Sequence, residues 1–388
     1  MNVLLILDSY PADSQFENKY ALLAEEFSRN GHNVYIVSCQ DHSIEKGTML
    51  TVEASVTVLR MRKHFLHHNP YLKDVFLPKF FLRQVRYYLK GIGFDLIVSA
   101  TPSLISSKTI LILKKYYQCS SYLLLRGLFP HVNRDLELIH NPILLYSLKR
   151  KEKRLYDHSN WIGCISPETM KYLAAQYPLS FRKKLDYLAD WSTKPLQNLS
   201  HIREKLKLQK ETQLVVFEHA PEEELAFLLD IAEENRDNEN LFFIITGKTV
   251  KEDRSLIDSR GLKNVIFLSS NMKTEREKLL GDADIGLILL NRQLSVPVVP
   301  SHIGSFMNAG LPIIACENPF THFSFIIKEA ACGLVCYTGN LKHFQRNLNR
   351  LLSDDGMREC LGENGRMYAE KELTAEKAYK TIMKHFQD

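Results

Sequence analysis

Residues 296–339, VPVVPSHIGSFMNAGLPIIACENPFTHFSFIIKEAACGLVCYTG, limit the possible folds more than any other part of this chain. Pro300 and Ser301 have the character of a helix start and Gly310 of a helix stop, and 312–316 is then a short apolar run of strand length. A helical run over 325–331 follows, Gly333 breaks it, and 334–337 reads as the next strand. Alternation of strand and helix with punctuation at the turns is the pattern of an α/β fold. A helix whose first turn is Ser301-His302-Ile303 also offers free backbone N–H groups, a hydroxyl and an imidazole at its positive end, where phosphate commonly binds. Ser after Pro is equally an ordinary helix cap.

The same alternation runs through the rest of the chain. Residues 3–7 form a continuous apolar run of the kind buried on both faces of a parallel sheet. A polar loop over 8–18, an amphipathic helix over 19–30 stopped by Gly31, and a strand over 33–38 complete a βαβ opening. A strand over 94–99 leads through Thr101-Pro102 into a long helix to Tyr117, and 122–126 is a strand ending in Arg126. At the carboxyl end of a parallel strand Arg126 faces the ligand crevice, where it meets an anion or pairs with Asp135 or Glu137. A second series starts with a strand at 214–217 and a helix at 225–234, then a strand at 240–246 ending in Gly247-Lys248. Strands at 264–268 and 285–290 flank a helix at 274–280, and helices at 344–352 and 375–386 close the chain. The polar stretch 192–200 separates the two series as a linker, and 388 residues suit two α/β domains.

Composition excludes several classes. No apolar run reaches the ~18 to 20 residues that span a bilayer, and the start lacks a basic n-region and cleavage site, so a cytosolic chain is expected. The cysteines are scattered without CxxC spacing and read as reduced core residues. Neither GxxxxGK[ST], GxGxxG, HExxH nor GxSxG occurs. His64, His67 and His68 sit in a basic-aromatic setting, and in the Asp-x-Asp at 282–284 Asp284 precedes an apolar strand and caps local structure, so no metal is expected. A formal charge of +5 is mild and suits an anionic surface or substrate. Between Arg60 and Lys90 basic and aromatic residues interleave. On a helix from Pro78, Phe81, Val85, Tyr88 and Leu89 share one face opposite Lys79, Arg83, Arg86 and Lys90, as on a surface helix or one lying on anionic lipid. Nucleic acid is not expected as a partner, because the charge is low and no recognition motif is present. The turn 218–224 holds four glutamates and no glycine, which disfavours an anion there by repulsion, although acidic residues after Pro221 suit a helix N-terminus.

Residues 296–339 resemble the C-terminal domain of bacterial GT-B glycosyltransferases, in particular the family 4 enzymes that build capsular, O-antigen and exopolysaccharide units. The residues that carry the resemblance are Pro300-Ser301-His302, the run Phe306-Met307-Asn308-Ala309-Gly310-Leu311-Pro312-Ile313-Ile314-Ala315, and Glu329-Ala330-Ala331-Cys332-Gly333-Leu334. Further matches are LLLRGLFP at 123–130, the stretch KRKEKRLYDHSNWIGCISP at 149–167, and Ala283-Asp284-Ile285-Gly286. Gly127 stands where relatives have Asp, Ala189-Asp190 where they have Pro-Asn, and Ser305 where many carry Glu.

The resemblance implies two Rossmann-like domains with parallel sheets facing across a cleft. It divides the chain into an acceptor domain over 1–191, the linker 192–200, a nucleotide-sugar domain over 201–374, and a terminal helix at 375–388 packing on the first domain. It assigns Arg126 to catalysis, Gly247, Lys248, Arg292, Pro300, Ser301, His302 and Ser305 to the donor, and Tyr10, Ser14 and Asn18 to the acceptor. It implies a retaining transfer from a nucleotide sugar to a lipid-linked or saccharide acceptor, without a metal or other cofactor, in the cytoplasm or on the inner face of the membrane. The departures from the family pattern open a second expectation, a partner of an active glycosyltransferase that has itself lost turnover.

Overall fold

The computed structural model describes residues 1–7, 10, 18–40, 47–53, 55–62, 70–101, 107–192, 202–219, 224–247, 251–268 and 273–386. They fall into two compact α/β units, one running to Ala189 and taken up again at Ala375, the other covering Asp190–Thr374. Among the described residues no helix is long and apolar enough to cross a membrane.

The first unit holds strands β1 (Asn2–Leu7), β2 (Asn33–Gln40), β3 (Met49–Glu53), β4 (Val56–Arg62), β5 (Leu96–Ala100), β6 (Ser120–Leu125), β7 (Trp161–Cys164) and β8 (Leu185–Tyr187). Their order is β3-β4-β2-β1-β5-β6-β7-β8, parallel throughout except that β3 runs antiparallel to β4. After their first residues β1 and β6 are wholly buried, as is all of β5, because helices cover both faces of a parallel sheet. The helices are α1 (Lys19–Arg29), α2 (Pro70–Tyr88), α3 (Ser107–Tyr117), α4 (His131–Asp135), α5 (Pro142–His158) and α6 (Pro167–Gln176).

Two expectations change here. The helix expected from Pro78 begins at Pro70, with Pro78 inside it. Proline removes one backbone bond there, yet the 3.6-residue pattern continues through Phe81, Val85 and Leu89, which pack with Leu4, Ile6 and Leu113. Arg60, read from sequence as part of a basic-aromatic surface, lies in β4 and is 3% exposed. It pairs with Glu53 on β3, the guanidinium Nη2 donating to Oε2 at 2.9 Å.

The second unit holds six strands, β9 (Gln213–His219), β10 (Leu241–Gly247), β11 (Val265–Leu268), β12 (Ile285–Leu289), β13 (Ile313–Glu317) and β14 (Gly333–Tyr337). All are parallel, in the order β11-β10-β9-β12-β13-β14. Its helices are α7 (Ile202–Lys205), α8 (Leu225–Glu234), α9 (Lys251–Arg260), α10 (Lys273–Asp282), α11 (Ile303–Ala309), α12 (Ser324–Glu329), α13 (Leu341–Ser353) and α14 (Asp355–Glu372). The Asp-x-Asp pair ties α7 to this sheet. Asp284 Oδ2 accepts from Leu214 N and from the Arg203 guanidinium, both at 2.7 Å, while Asp282 Oδ2 accepts from Ile202 N at 2.7 Å.

Helix α11 is seated by α14, which presents Gly362, Gly365 and Ala369 as a buried stripe of small residues. Gly310 caps α11 in the left-handed region at φ 72°, which side chains rarely adopt, and a Cβ on Gly362 would come 2.0 Å from the Gly310 carbonyl oxygen. The chain joins the second unit before the expected boundary at 191. Trp191 is buried, and Ser192 bonds Asn308 on α11 and the Leu373 carbonyl. Residues 193–200 of the expected linker lie outside the described residues.

The last helix, α15 (Ala375–Met383), belongs to the first unit. Tyr379 meets Phe27 edge to face at 5.1 Å and its hydroxyl lies 2.9 Å from His32 Nε2. Beyond the helix, Lys384 and His385 both reach the buried carboxylate of Asp186, at 2.6 and 2.7 Å, and the His385 ring stacks on Trp161.

Gly362→Ala is expected to destabilise the protein by about 1–3 kcal/mol in urea unfolding, because its methyl meets backbone. Gly356→Ala, at an exposed position of the same helix, should be neutral or slightly stabilising. Equal stability of the two variants would remove the close crossing of α11 and α14.

Candidate functional site

Open α/β sheets bind ligands outside the carboxyl ends of their strands, where the strand order reverses. In the second unit the reversal lies between β9 and β12. Here the N–H of Glu224, the residue before α8, donates to the Leu289 carbonyl at 2.8 Å. The Glu224 carboxylate takes the Arg292 side chain at 2.6 and 3.0 Å. Arg292 is 63% exposed, lies against Gly339, and its guanidinium pKa is raised by the Glu224 hydrogen bond. Two carbonyls of this loop, Asn291 and Leu294, accept from Asn318 Nδ2 at 3.0 and 2.8 Å, and Thr338 Oγ1 donates to Leu290 O at 2.7 Å. Of the four glutamates in the turn 218–224, Glu222 and Glu223 lie outside the described residues and the other two are paired. Glu218 is paired with Arg276 at 2.6 Å and Glu224 with Arg292.

The following segment brings Pro300, Ser301, His302 and Ser305 together. The α-helix starts at Ile303 and not at Ser301, because 300–302 form a turn in which Ile303 N donates to Pro300 O. Ser301 is exposed, Ser305 half-buried. His302 precedes the helix, is 3% exposed, and meets the Phe306 ring at 5.1 Å. Gly247 ends β10 at φ 109°. Lys248 lies outside the described residues.

In the first unit the reversal lies between β1 and β5, and Tyr10 follows β1 there. The buried Arg60 holds Tyr10, donating from Nε to its carbonyl at 3.3 Å and lying 5.5 Å from the ring centroid. Burial pushes the Tyr10 phenol pKa up. Arg126 directly follows β6, and its N–H donates to Thr101 Oγ1 at 3.0 Å just beyond β5. Asp135 bonds the neighbouring Arg134. Asn18 caps α1, its Oδ1 accepting from Tyr20 N at 3.1 Å, and Ser14 lies outside the described residues.

Residues 198–368 match the family model described as glycosyl transferases group 1. No curated protein matches the chain by sequence. Among solved structures the chain is similar to sucrose-phosphate synthase from Thermosynechococcus elongatus, with a TM-score of 0.75 and 14% identity over 99% of this chain and 98% of that one. WaaG, a glycosyltransferase involved in lipopolysaccharide biosynthesis, gives a TM-score of 0.68 and 13% identity over 99% of each chain. Anabaena HepE in complex with UDP and glucose gives 0.69 and 13% over 100% and 99%. The chain therefore has the GT-B fold, with two Rossmann-like units on parallel sheets.

Sequence reasoning missed Glu224 as the partner of Arg292, and Asn318 and Thr338 as the groups that fix the loop. Their one signal is position, since Asn318 stands just past an apolar strand where crevice residues belong. It also missed Glu53, which fixes Tyr10 through Arg60.

The Arg60 hydrogen bond holds the Glu53 carboxyl pKa below its usual value. A depressed carboxylate adds stability that is present above the unfolded pKa and is lost as pH falls through the folded one. Glu53→Gln should cost about 2 kcal/mol near pH 7 and flatten the loss of stability below about pH 4.5. Parallel pH profiles for wild type and variant would remove the pair from this role.

Proposed function

We propose that the chain transfers a sugar, hexosyl or N-acetylhexosaminyl, from a nucleoside diphosphate to a lipid-linked or saccharide acceptor. The product is part of a bacterial surface polysaccharide of capsule, O-antigen or exopolysaccharide type. The match of residues 198–368 to the group 1 family carries this reading. The donor class is supported by similar folds whose structures hold UDP, or UDP with glucose.

The donor is assigned to Gly247, Lys248, Arg292, Pro300, Ser301, His302 and Ser305, and the acceptor to Tyr10, Ser14 and Asn18. In the reaction the bond from the anomeric carbon to the diphosphate oxygen breaks, the acceptor oxygen takes its place with retention, and the acceptor's proton passes to the released diphosphate. Cationic side chains, Arg126 among them, and backbone N–H groups offset the charge of the departing diphosphate. No essential metal takes part, so chelation leaves turnover unchanged. The work is done in the cytoplasm at the inner face of the membrane.

A second reading, a chain without turnover that binds an active glycosyltransferase, is favoured by one observation. Arg292 is already engaged by Glu224. Calorimetry with a panel of nucleoside diphosphates separates the two. If Arg292 serves the donor, diphosphate competes with Glu224, so Glu224→Gln should tighten binding and Arg292→Ala weaken it about tenfold. Absence of binding to every nucleotide by wild type and Glu224→Gln would end the transferase reading and leave the second.

A further inference from the structure

Helices α2, α3 and α5 form one layer on the first unit. Arg86 of α2 lies 4.8 Å from the Tyr116 ring centroid on α3, and Lys114 of α3 donates to the His158 carbonyl at the end of α5 at 2.6 Å. Residues 79–90 carry four cations and no carboxylate, α3 three and none, and α5 five against two. These stretches total a formal +10, whereas the whole chain carries +5. Half-buried Glu152, facing His131 at 3.4 Å, and half-buried Lys114, bonded to the His158 carbonyl, offset each other, so the remaining stretches keep the same net +10.

The same layer exposes apolar and amphipathic side chains. Tyr87 is 76% exposed, Tyr116 49%, Ile143 74% and Tyr146 64%. Along α5 the helical period puts Ile143, Tyr146, Arg150, Lys153 and Arg154 on one outward face, so an apolar end passes into a basic one. Solvent does not call for that combination, whereas a membrane interface takes rings and aliphatic groups at headgroup depth and cations against anionic headgroups.

We infer that the outer face of α2, α3 and α5 docks on a bilayer containing anionic lipid, with the first turns of α5 entering the headgroup region. This deepens the membrane part of the proposed function, and its test uses no nucleotide, so the two fail separately. A duplex nucleic acid would also meet the cations but leaves Ile143 and the outward aliphatic end of α5 without a role.

The test is co-sedimentation of the full chain with vesicles of phosphatidylcholine alone and of equal parts phosphatidylcholine and phosphatidylglycerol, at low and physiological salt. Binding to the mixed vesicles, weakened by salt and faint on neutral ones, is expected. The triple variant Arg150→Glu, Lys153→Glu, Arg154→Glu should cut it at least about tenfold, since each surface cation near an anionic bilayer contributes on its own. Ile143→Ser with Tyr146→Ser should cut it severalfold. Lys342→Glu with Arg346→Glu, exposed on α13 of the second unit, should leave it unchanged. All these positions are exposed, and matching thermal unfolding checks that the variants are folded. No binding to mixed vesicles, equal binding to neutral ones, indifference to the α5 variants, or tighter retention by duplex RNA than by vesicles would each overturn the inference.

Discussion

A parallel sheet has to be covered on both faces, and most of this structure follows from that requirement. Leu4, Leu5, Leu96, Ile97 and Leu123 have no exposed surface, nor do Val215, Leu287 and Ile314. Neighbouring parallel strands need crossovers, so every pair of such runs in sequence calls for a helix between them. The first unit completes its cover with the end of the chain: α15 lies with α1, Tyr379 against Phe27 and His32. Asp186 then anchors the tail through Lys384 and His385 while accepting from Tyr122 Oη at 2.9 Å. A buried carboxylate with three partners is tolerable, whereas one stripped of them is costly, so the tail and Asp186 stabilise each other.

Paired charges recur at the carboxyl ends of both sheets. Arg60 with Glu53 supports Tyr10, Glu224 with Arg292 borders the reversal of the second sheet, and Glu218 with Arg276 stands beside it. The two kinds of pair differ. Arg60 is almost wholly buried, and its hydrogen bonds to Thr51, Glu53 and the Tyr10 carbonyl make it a fixed strut. Arg292 is mostly exposed, so its bond to Glu224 is in water's reach, weak, and open to exchange for another anion.

Long, wholly buried runs were legible in the sequence because burial on both faces writes itself as unbroken hydrophobicity, as at 3–7 and 313–316. The β3–β4 hairpin was not. Strand β3 alternates between half-buried and exposed residues, and the cation at Arg60 looks like surface until Glu53 is placed beside it. Helix α14 was hidden for another reason: two glycines inside it, Gly362 and Gly365, are poor helix formers, although glycine at 362 lets the helix approach Gly310. Local punctuation was misread at 300–302, where a helix start was expected and a turn precedes α11, and pairs far apart in sequence, such as Glu224 and Arg292, left no local signal.

The distribution of charge constrains the chemistry further. Residues 190–374 hold 22 Lys and Arg against 27 Asp and Glu, a net of −5, so the remaining residues carry +10. A net-negative unit does not attract a nucleoside diphosphate by its overall field. If it binds one, the affinity has to come from short-range groups: backbone N–H donors in the turns at the strand ends and a few cations placed against them. Each such cation, Arg292 first, is then the more valuable for being scarce, and a carboxylate beside it keeps it from binding any passing anion. Displacing Glu224 would lower the affinity of every anion that uses Arg292 by the same factor, so the pair weakens binding without choosing between such ligands.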